Sequence, residues 1–217
     1  MEVEYKFLCQ SDAVFTKLLR VPSIGPFSLD APQSVLISDR YLDTPGRLLL
    51  KNSHALRIRT AAGRCLLSIK GLGEARVDGL HRRHESETPM QLETAAAPDP
   101  DSLRAALPDE LRSIIGREPL VELFRVHNER HVRKGRDAAG STFEMALDRA
   151  EFIGPRAQAQ RREVELEAVD IDEPRLIDVA DAFLRLFPLQ PSDESKFHFG
   201  LKLVAEQCEK QRRQRHS

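Results

Sequence analysis

The sequence predicts an α+β fold built on about eight antiparallel strands, enough to close a small barrel, with helices between them. Three observations predict it. Apolar and charged residues alternate with period two in run after run; turn residues separate neighbouring runs; and the intervening segments carry apolar stripes at helical spacing. At 217 residues, 41% of them hydrophobic, the chain is long enough for a sizeable core.

The alternating runs come in order at residues 2–7, 35–41, 55–59, 65–70, 80–88, 120–132, 142–149 and 161–169. Ala62-Gly63-Arg64 reads as a hairpin, and Asp137-Ala138-Ala139-Gly140 as another. Ser11-Asp12 caps a helix with Val14, Phe15, Leu18 and Leu19 on one face. Thr44-Pro45 leads into a short turn or helix over 46–51. Residues 101–115, broken at Pro108, predict two short helices. Over 172–186, with Pro174 near the start, Leu176, Val179, Ala180, Phe183 and Leu184 form one stripe. A last helix or loop-helix is expected over 192–209, a surface loop over 94–100, and a frayed basic tail over 210–216.

Composition excludes several classes. No apolar run approaches the ~20 residues that span a bilayer, and no charged-then-apolar leader opens the chain. Cys9, Cys65 and Cys208 are odd in number and far apart, so neither a disulfide framework nor a CxxC metal site is expected, and a cytoplasmic location is. The seven histidines show no metal-ligand spacing. With 33 Lys plus Arg against 34 Asp plus Glu, the surface as a whole makes no nucleic-acid platform.

The order of those charges is informative. Alternation sets Glu2, Glu4 and Lys6 against Val3, Tyr5 and Phe7, which face outward; it sets Glu163, Glu165 and Glu167 against Val164, Leu166 and Ala168. Glu144 and Asp148 share a face, as do Arg57 and Arg59, Ser68 and Lys70, and Arg83, Glu85 and Glu87. A charged face in water accounts for any one strand. Same-face glutamates stand only ~7 Å apart along a strand, however, and crowd further across neighbours. Acidic and basic strands in one chain suit carboxylates for a hard cation and guanidinium and ammonium groups for a polyanion. A sheet closed with its charged face inward would form a polar tunnel.

Glu2-Val3-Glu4-Tyr5-Lys6 resembles the ExExK signature of the CYTH superfamily, the triphosphate tunnel metalloenzymes. Tyr41-Leu42-Asp43-Thr44-Pro45, Leu56-Arg57-Ile58-Arg59, Ser68-Ile69-Lys70-Gly71, Arg83-His84-Glu85-Ser86-Glu87, Ala146-Leu147-Asp148, Glu163-Val164-Glu165-Leu166-Glu167 and Ser195-Lys196 are similar to its later motifs, in the family's order. The resemblance implies a closed eight-stranded antiparallel barrel with charged side chains lining a tunnel and helices packed outside. It implies a tunnel domain over 1–205 followed by a basic tail over 206–217. The 71–81 connection looks most like bacterial inorganic triphosphatases; their second, helical domain is not expected here.

On that resemblance, the expected activity is metal-dependent cleavage of inorganic triphosphate, with Mg2+ or Mn2+ as cofactor. Arg57, Arg59, Lys70, Arg83, Arg130 and Lys196 would clamp phosphate, Arg by bidentate contacts and Lys as a point charge. Glu2, Glu4, Glu85, Asp148, Glu163 and Glu165 would hold the metal through oxygen. Lys6, Glu4 and Arg57 are the expected catalytic residues, Lys6 also touching phosphate; orientation and electrostatics suit Lys6 better than a base, because adjacent carboxylates oppose loss of its proton. Glu87 and Glu167 are equally readable as solvated residues at a mouth. Strand parity groups Arg125 with Arg133 and would need a bulge to turn Arg130 inward with them, whereas the family pattern favours Arg130. Tyr41 and Asp43 read as shaping a strand end. Alternatives on the same fold are a thiamine triphosphatase, a class IV adenylyl cyclase, or a non-catalytic polyphosphate or nucleotide module. With no Trp and two Tyr, a stacking seat for an organic group is hard to find, which favours the inorganic substrate. The expected partner is inorganic triphosphate or another triphosphate-bearing small molecule, with neither nucleic acid nor membrane.

Overall fold

The computed structural model describes residues 2–90 and 100–214, with the side chains at 74, 83, 100 and 206–214 set aside. Its strands are β1 (Glu2–Leu8), β2 (Ser23–Ile24), β3 (Phe27–Leu29), β4 (Gln33–Asp43), β5 (His54–Ala61), β6 (Arg64–Gly71), β7 (Glu74–Ala75), β8 (Leu80–Arg83), β9 (Glu85–Met90), β10 (Val121–Arg136), β11 (Thr142–Ile153), β12 (Gln158–Asp170) and β13 (Gln190–Pro191). Its helices are α1 (Asp12–Arg20), α2 (Leu48–Lys51), α3 (Pro100–Ala106), α4 (Asp109–Ile115), α5 (Glu173–Leu186) and α6 (Lys196–Gln214). Each expected helix forms. Ser11 caps α1 by accepting from the Val14 amide, and Asp172 caps α5 by accepting from Arg175 at 2.9 Å. Of the loop expected over 94–100 all but Pro100 lies outside the described residues; the tail expected over 206–217 is instead a continuation of α6 as far as Gln214, with 215–217 outside them.

The principal sheet runs β8-β1-β12-β11-β10-β4-β5-β6-β9, with the two-residue β7 beyond β8, and these pairings are antiparallel. These nine strands curl 229° round and stop with their edges 10 Å apart, so the sheet is an open half-barrel and the expected closed eight-stranded barrel is not formed. The cause lies in the stretch from residue 80 to 90, of which 80–88 reads as one strand. That stretch divides at His84: Leu80–Arg83 pairs with β1, while Glu85–Met90 pairs with β6. The segment that would sew the edges together gives its two halves to opposite edges. Across the seam, Lys70 Nζ reaches Glu2 at 3.3 Å, while on its own side it holds Glu85 of β9 at 2.6 Å.

Outside the curl, Val164, Leu166, Met145, Phe7 and Tyr5 are buried with Phe15 and Leu18 of α1 and Leu176, Val179 and Phe183 of α5. Leu56, Ile58, Leu67 and Ile69 are buried with Leu49 of α2, Leu103 of α3 and Leu111 and Ile115 of α4. Each such side chain contributes roughly 1.5–3 kcal/mol by leaving water, so the apolar phase of the alternation decides which sheet face goes under the helices. The last helix departs from the expectation that all helices pack outside. Phe197 at the start of α6 joins Tyr41, Phe124, Val126 and Phe152 from the inner face, stacking near Tyr41 with ring centroids 5.6 Å apart. Gly200 permits this approach: a Cβ there would lie 2.2 Å from Phe124 Cε2. α6 therefore plugs one end of the trough and delivers Lys196 into it.

Candidate functional site

Register turns the period-two pattern into rows of charge across the concave face. Glu4 lies opposite Glu167 and His81, and Lys6 opposite Glu165. Asp148 lies opposite Glu163 on one side and Arg130 on the other. Farther round, Arg59 faces Asp39, Arg57 faces Tyr41, and Lys70 faces Glu85. These rows enclose a cavity of about 300 Å³.

Of the residues expected at the site, Glu2, Glu4, Lys6, Arg57, Arg59, Lys70, Glu85, Arg130, Glu165 and Lys196 line this cavity. Asp148 and Glu163 sit behind the lining, with no exposed surface. The backbone of Arg83 pairs with Glu2, and its side chain lies outside the described residues. Glu87 and Glu167 also line the cavity. The arginine ambiguity resolves to Arg130, and no bulge is needed for it. The register shift on β10 lies between Glu122 and Phe124, and from there plain alternation points Arg130 inward. Arg125 is exposed and paired with Glu122; Arg133 is buried on the outer side, donating to the carbonyls of Asp30, Leu18 and Leu29.

The interior neutralises itself in two groups. In the first, Lys196 Nζ sits 2.5 Å from Glu163, 2.8 Å from Asp148 and 2.9 Å from Glu165. Arg130 forks onto Asp148 at 2.8 and 2.7 Å and reaches Glu165 at 2.5 Å, while Lys6 lies 2.9 Å from Glu165 and 3.6 Å from Glu4. Burial alone would raise Asp148 and Glu165. For Asp148 the cations Arg130 and Lys196 outweigh it; for Glu165, Lys196, Lys6 and Arg130 do. Both stay below the ordinary carboxylate range. Burial would likewise depress Lys196, but Asp148, Glu163 and Glu165 overcome it and hold the ammonium above its ordinary value.

In the second group, Arg59 forks onto Asp39 at 2.8 Å for both contacts, and Arg57 bridges Asp39 at 3.5 Å and Glu85 at 2.9 Å. Arg57 also hydrogen-bonds Tyr41, and its buried Nε has no partner. Lys70 departs from the other clamp cations: burial and the neighbouring Arg57 lower it despite Glu2 and Glu85. Glu167 is its acidic counterpart. Burial, then Glu2 and Glu4, push it up to about 7. A cation lowered by burial and an acid raised by burial thus face the same cavity.

Carboxylate oxygens of Asp148, Glu163 and Glu165 come within 4.8 Å of one another, a cluster that could hold a metal ion where the Lys196 ammonium now sits among them. Their all-oxygen character suits Mg2+ or Mn2+. Several participants were not assigned from sequence. Asp39 shares a face with Tyr41, a signal visible in the alternation; Arg161 stands two residues before Glu163 on the same face of β12. His81, 2% exposed and bonded through Nε2 to the Ser192 carbonyl, carries no local signal of its own. Cys9 and Cys65 are buried and free. No helix among the described residues is long and apolar enough to cross a membrane.

Solved structures with this fold come from distant organisms. A candidate adenylyl cyclase from Hippeastrum, described as having a dominant triphosphatase activity, matches with a TM-score of 0.67 and 22% identity over 92% of this chain and 95% of its own. A candidate adenylate cyclase from Bacillus halodurans matches with a TM-score of 0.60 and 22% identity, over 90% and 95%. A Pyrococcus horikoshii protein matches with a TM-score of 0.54 and 19% identity, over 93% and 99%. At such identities the likeness establishes the fold alone. No curated protein matches in sequence. The model of the CYTH domain matches residues 1–198. By that match, spanning every charged row of the trough, the chain belongs to the CYTH domain family.

Proposed function

We propose that this protein is a metal-dependent hydrolase that cleaves inorganic triphosphate to diphosphate and phosphate in the charged trough. The observation that carries the proposal is the unpartnered, buried Arg57 Nε among the clamp cations of a 300 Å³ cavity. A buried donor without an acceptor costs about 1–3 kcal/mol, and a phosphate oxygen would satisfy it. Arg57, Arg59, Lys70, Arg130 and Lys196 are each aimed by paired carboxylates, and Lys70, lowered by burial and by Arg57, has most to gain from an anion. Arg83 would join them from β8. Lys6, lying between Glu4 and Glu165, orients both carboxylates.

Glu2, Glu4, Glu85, Asp148, Glu163 and Glu165 would hold Mg2+ or Mn2+, with Glu167 added from the structure. The bound ion would neutralise phosphate oxygens and ease deprotonation of the attacking water. The donors fit such an ion: burial, then the like charges of Glu2 and Glu4, raise Glu167 to about 7, and a cation would relieve that repulsion. The aromatic rings in the wall favour a substrate without an organic part. Tyr41 and Phe197 are each 4% exposed and engaged in their own stack with Phe124. The activity described for the Hippeastrum protein points the same way.

The test is phosphate release from triphosphate, thiamine triphosphate, ATP, diphosphate and long-chain polyphosphate with Mg2+, Mn2+ or chelator, with cyclic AMP followed in the ATP arm. Triphosphate is expected to turn over fastest, only with metal, and Glu4→Gln to abolish it. Equal turnover of ATP and triphosphate, turnover of neither, or wild-type activity in Glu4→Gln would overturn the proposal.

A further inference from the structure

Lys196 reaches the trough on a short strap, and the geometry points to Arg161 as the positioning residue that fixes it. The strap begins where β13 pairs with the end of β1 and runs through Ser192 to Ser195. The Ser192 amide donates to the Lys6 carbonyl at 2.9 Å, and His81 Nε2 lies 2.8 Å from the Ser192 carbonyl. Beyond that point Arg161 takes over. Its two terminal nitrogens donate to the Glu194 carboxylate at 2.8 Å, the Glu194 carbonyl at 2.9 Å and Ser192 Oγ at 3.4 Å. Its Nε lies 2.6 Å from Glu163 Oε1, and its guanidinium carbon stands 4.9 Å over the Phe199 ring of α6.

These contacts close a ring. Glu163 receives the Lys196 ammonium through its other oxygen at 2.5 Å, so one guanidinium is ion-paired, without a hydrogen bond, to the carboxylate that seats Lys196 and hydrogen-bonded to the backbone two residues before it. Arg161 does not line the cavity, and its side chain is 8% exposed. It acts through Lys196. The role needs a planar fork with several donors at fixed angles. Lysine would keep the charge beside Glu163 and lose the grip on Glu194 and Ser192. The inference rests on the proposed role of Lys196 in binding phosphate.

The test compares wild type, Arg161→Lys, Arg161→Ala, Lys196→Ala and the Arg161→Lys/Lys196→Ala double variant, full length. Triphosphate hydrolysis with Mg2+ and amide hydrogen exchange over residues 194–199 are both measured. Arg161→Lys is expected to raise KM about tenfold, the scale of one lost charge-assisted contact, with kcat little changed. Amides 194–199 should exchange faster, and Arg161→Lys should add no further loss to Lys196→Ala. Charge beside Glu163 as the whole role predicts full rescue by lysine; that outcome, or KM losses that simply multiply in the double variant, would overturn the inference. If wild type hydrolyses no triphosphate, the proposed activity fails separately. Exchange then decides the strap: faster exchange over 194–199 in Arg161→Lys sustains it, and unchanged exchange removes it.

Discussion

Replacing Lys196 with methionine keeps most of the side-chain volume and removes the ammonium from the centre of three buried carboxylates. Removing one partner of a buried ion pair costs about 3–5 kcal/mol, because the other charge is stranded. Here each carboxylate keeps at least one cation: Arg130 for Asp148, Arg130 and Lys6 for Glu165, and Arg161 for Glu163. The lower end, about 3 kcal/mol, is therefore expected. At 2–4 °C per kcal/mol for a chain of this size, the melting temperature should fall by roughly 6–12 °C at pH 7.5 in chelator. The pH dependence has a definite sign. Asp148 and Glu165 are depressed in the folded protein, so their ion-pair stabilisation is present above the unfolded carboxylate pKa and is lost as pH falls through the folded value. Without Lys196 the folded values move back towards normal, so the penalty should shrink as pH is lowered from 7.5 towards 4. Adding Mn2+ should restore more stability to the variant than to wild type, because a cation can then take the vacated centre. Differential scanning calorimetry reads all three effects. A fall of under ~2 °C at pH 7.5, or a penalty that grows in acid, would refute the reasoning.

Three other perturbations follow from the same geometry. Glu167, raised to about 7 by burial and then by Glu2 and Glu4, binds its proton more tightly folded than unfolded, so stability falls as pH rises from the unfolded carboxylate range to 7. In chelator, Glu167→Gln should raise the melting temperature at pH 8 and leave it unchanged near pH 4, and a carboxyl NMR titration of wild type should show a midpoint near 7. Arg133→Met strands the carbonyls of Asp30, Leu18 and Leu29 and should cost about 3 kcal/mol in urea unfolding without changing KM for triphosphate, in contrast to Arg130→Met. Gly200→Ala, which helix propensity alone would favour by ~1 kcal/mol, should instead destabilise by about 1–3 kcal/mol, and Phe124→Leu in the same chain should recover part of the loss.

Much of this molecule was legible from alternation, because a strand's period of two is local. Glu2, Glu4 and Lys6 on one side of β1, and Glu163 to Glu167 on one side of β12, needed no knowledge of their neighbours. Ser11 and Asp172 marked the starts of α1 and α5 for the same reason, since a cap is a short-range hydrogen bond. Closure was not local. Residues 80–88 look like one strand whether they pair with one partner or two, and the division at His84 is decided by what lies on either side. Parity alone could not choose Arg130 over Arg125 and Arg133, because the facing of β10 is set by an irregularity at Glu122 and Phe124, upstream of all three. The inward path of α6 depends on Gly200 meeting Phe124 across 76 positions of sequence, a contact that neither residue announces.

The unsewn seam has a mechanical consequence. A closed barrel has a circumference fixed by its hydrogen-bond ladder, whereas this sheet is a hoop with a clasp. Lys70 is that clasp, holding Glu2 on one rim and Glu85 on the other. An anion that draws the Lys70 ammonium into the trough takes it from the clasp, so occupancy and curvature compete for one charge. Only the chain turn at His84 joins the rims by backbone, so part of the hoop's stiffness is ionic and should soften with added salt.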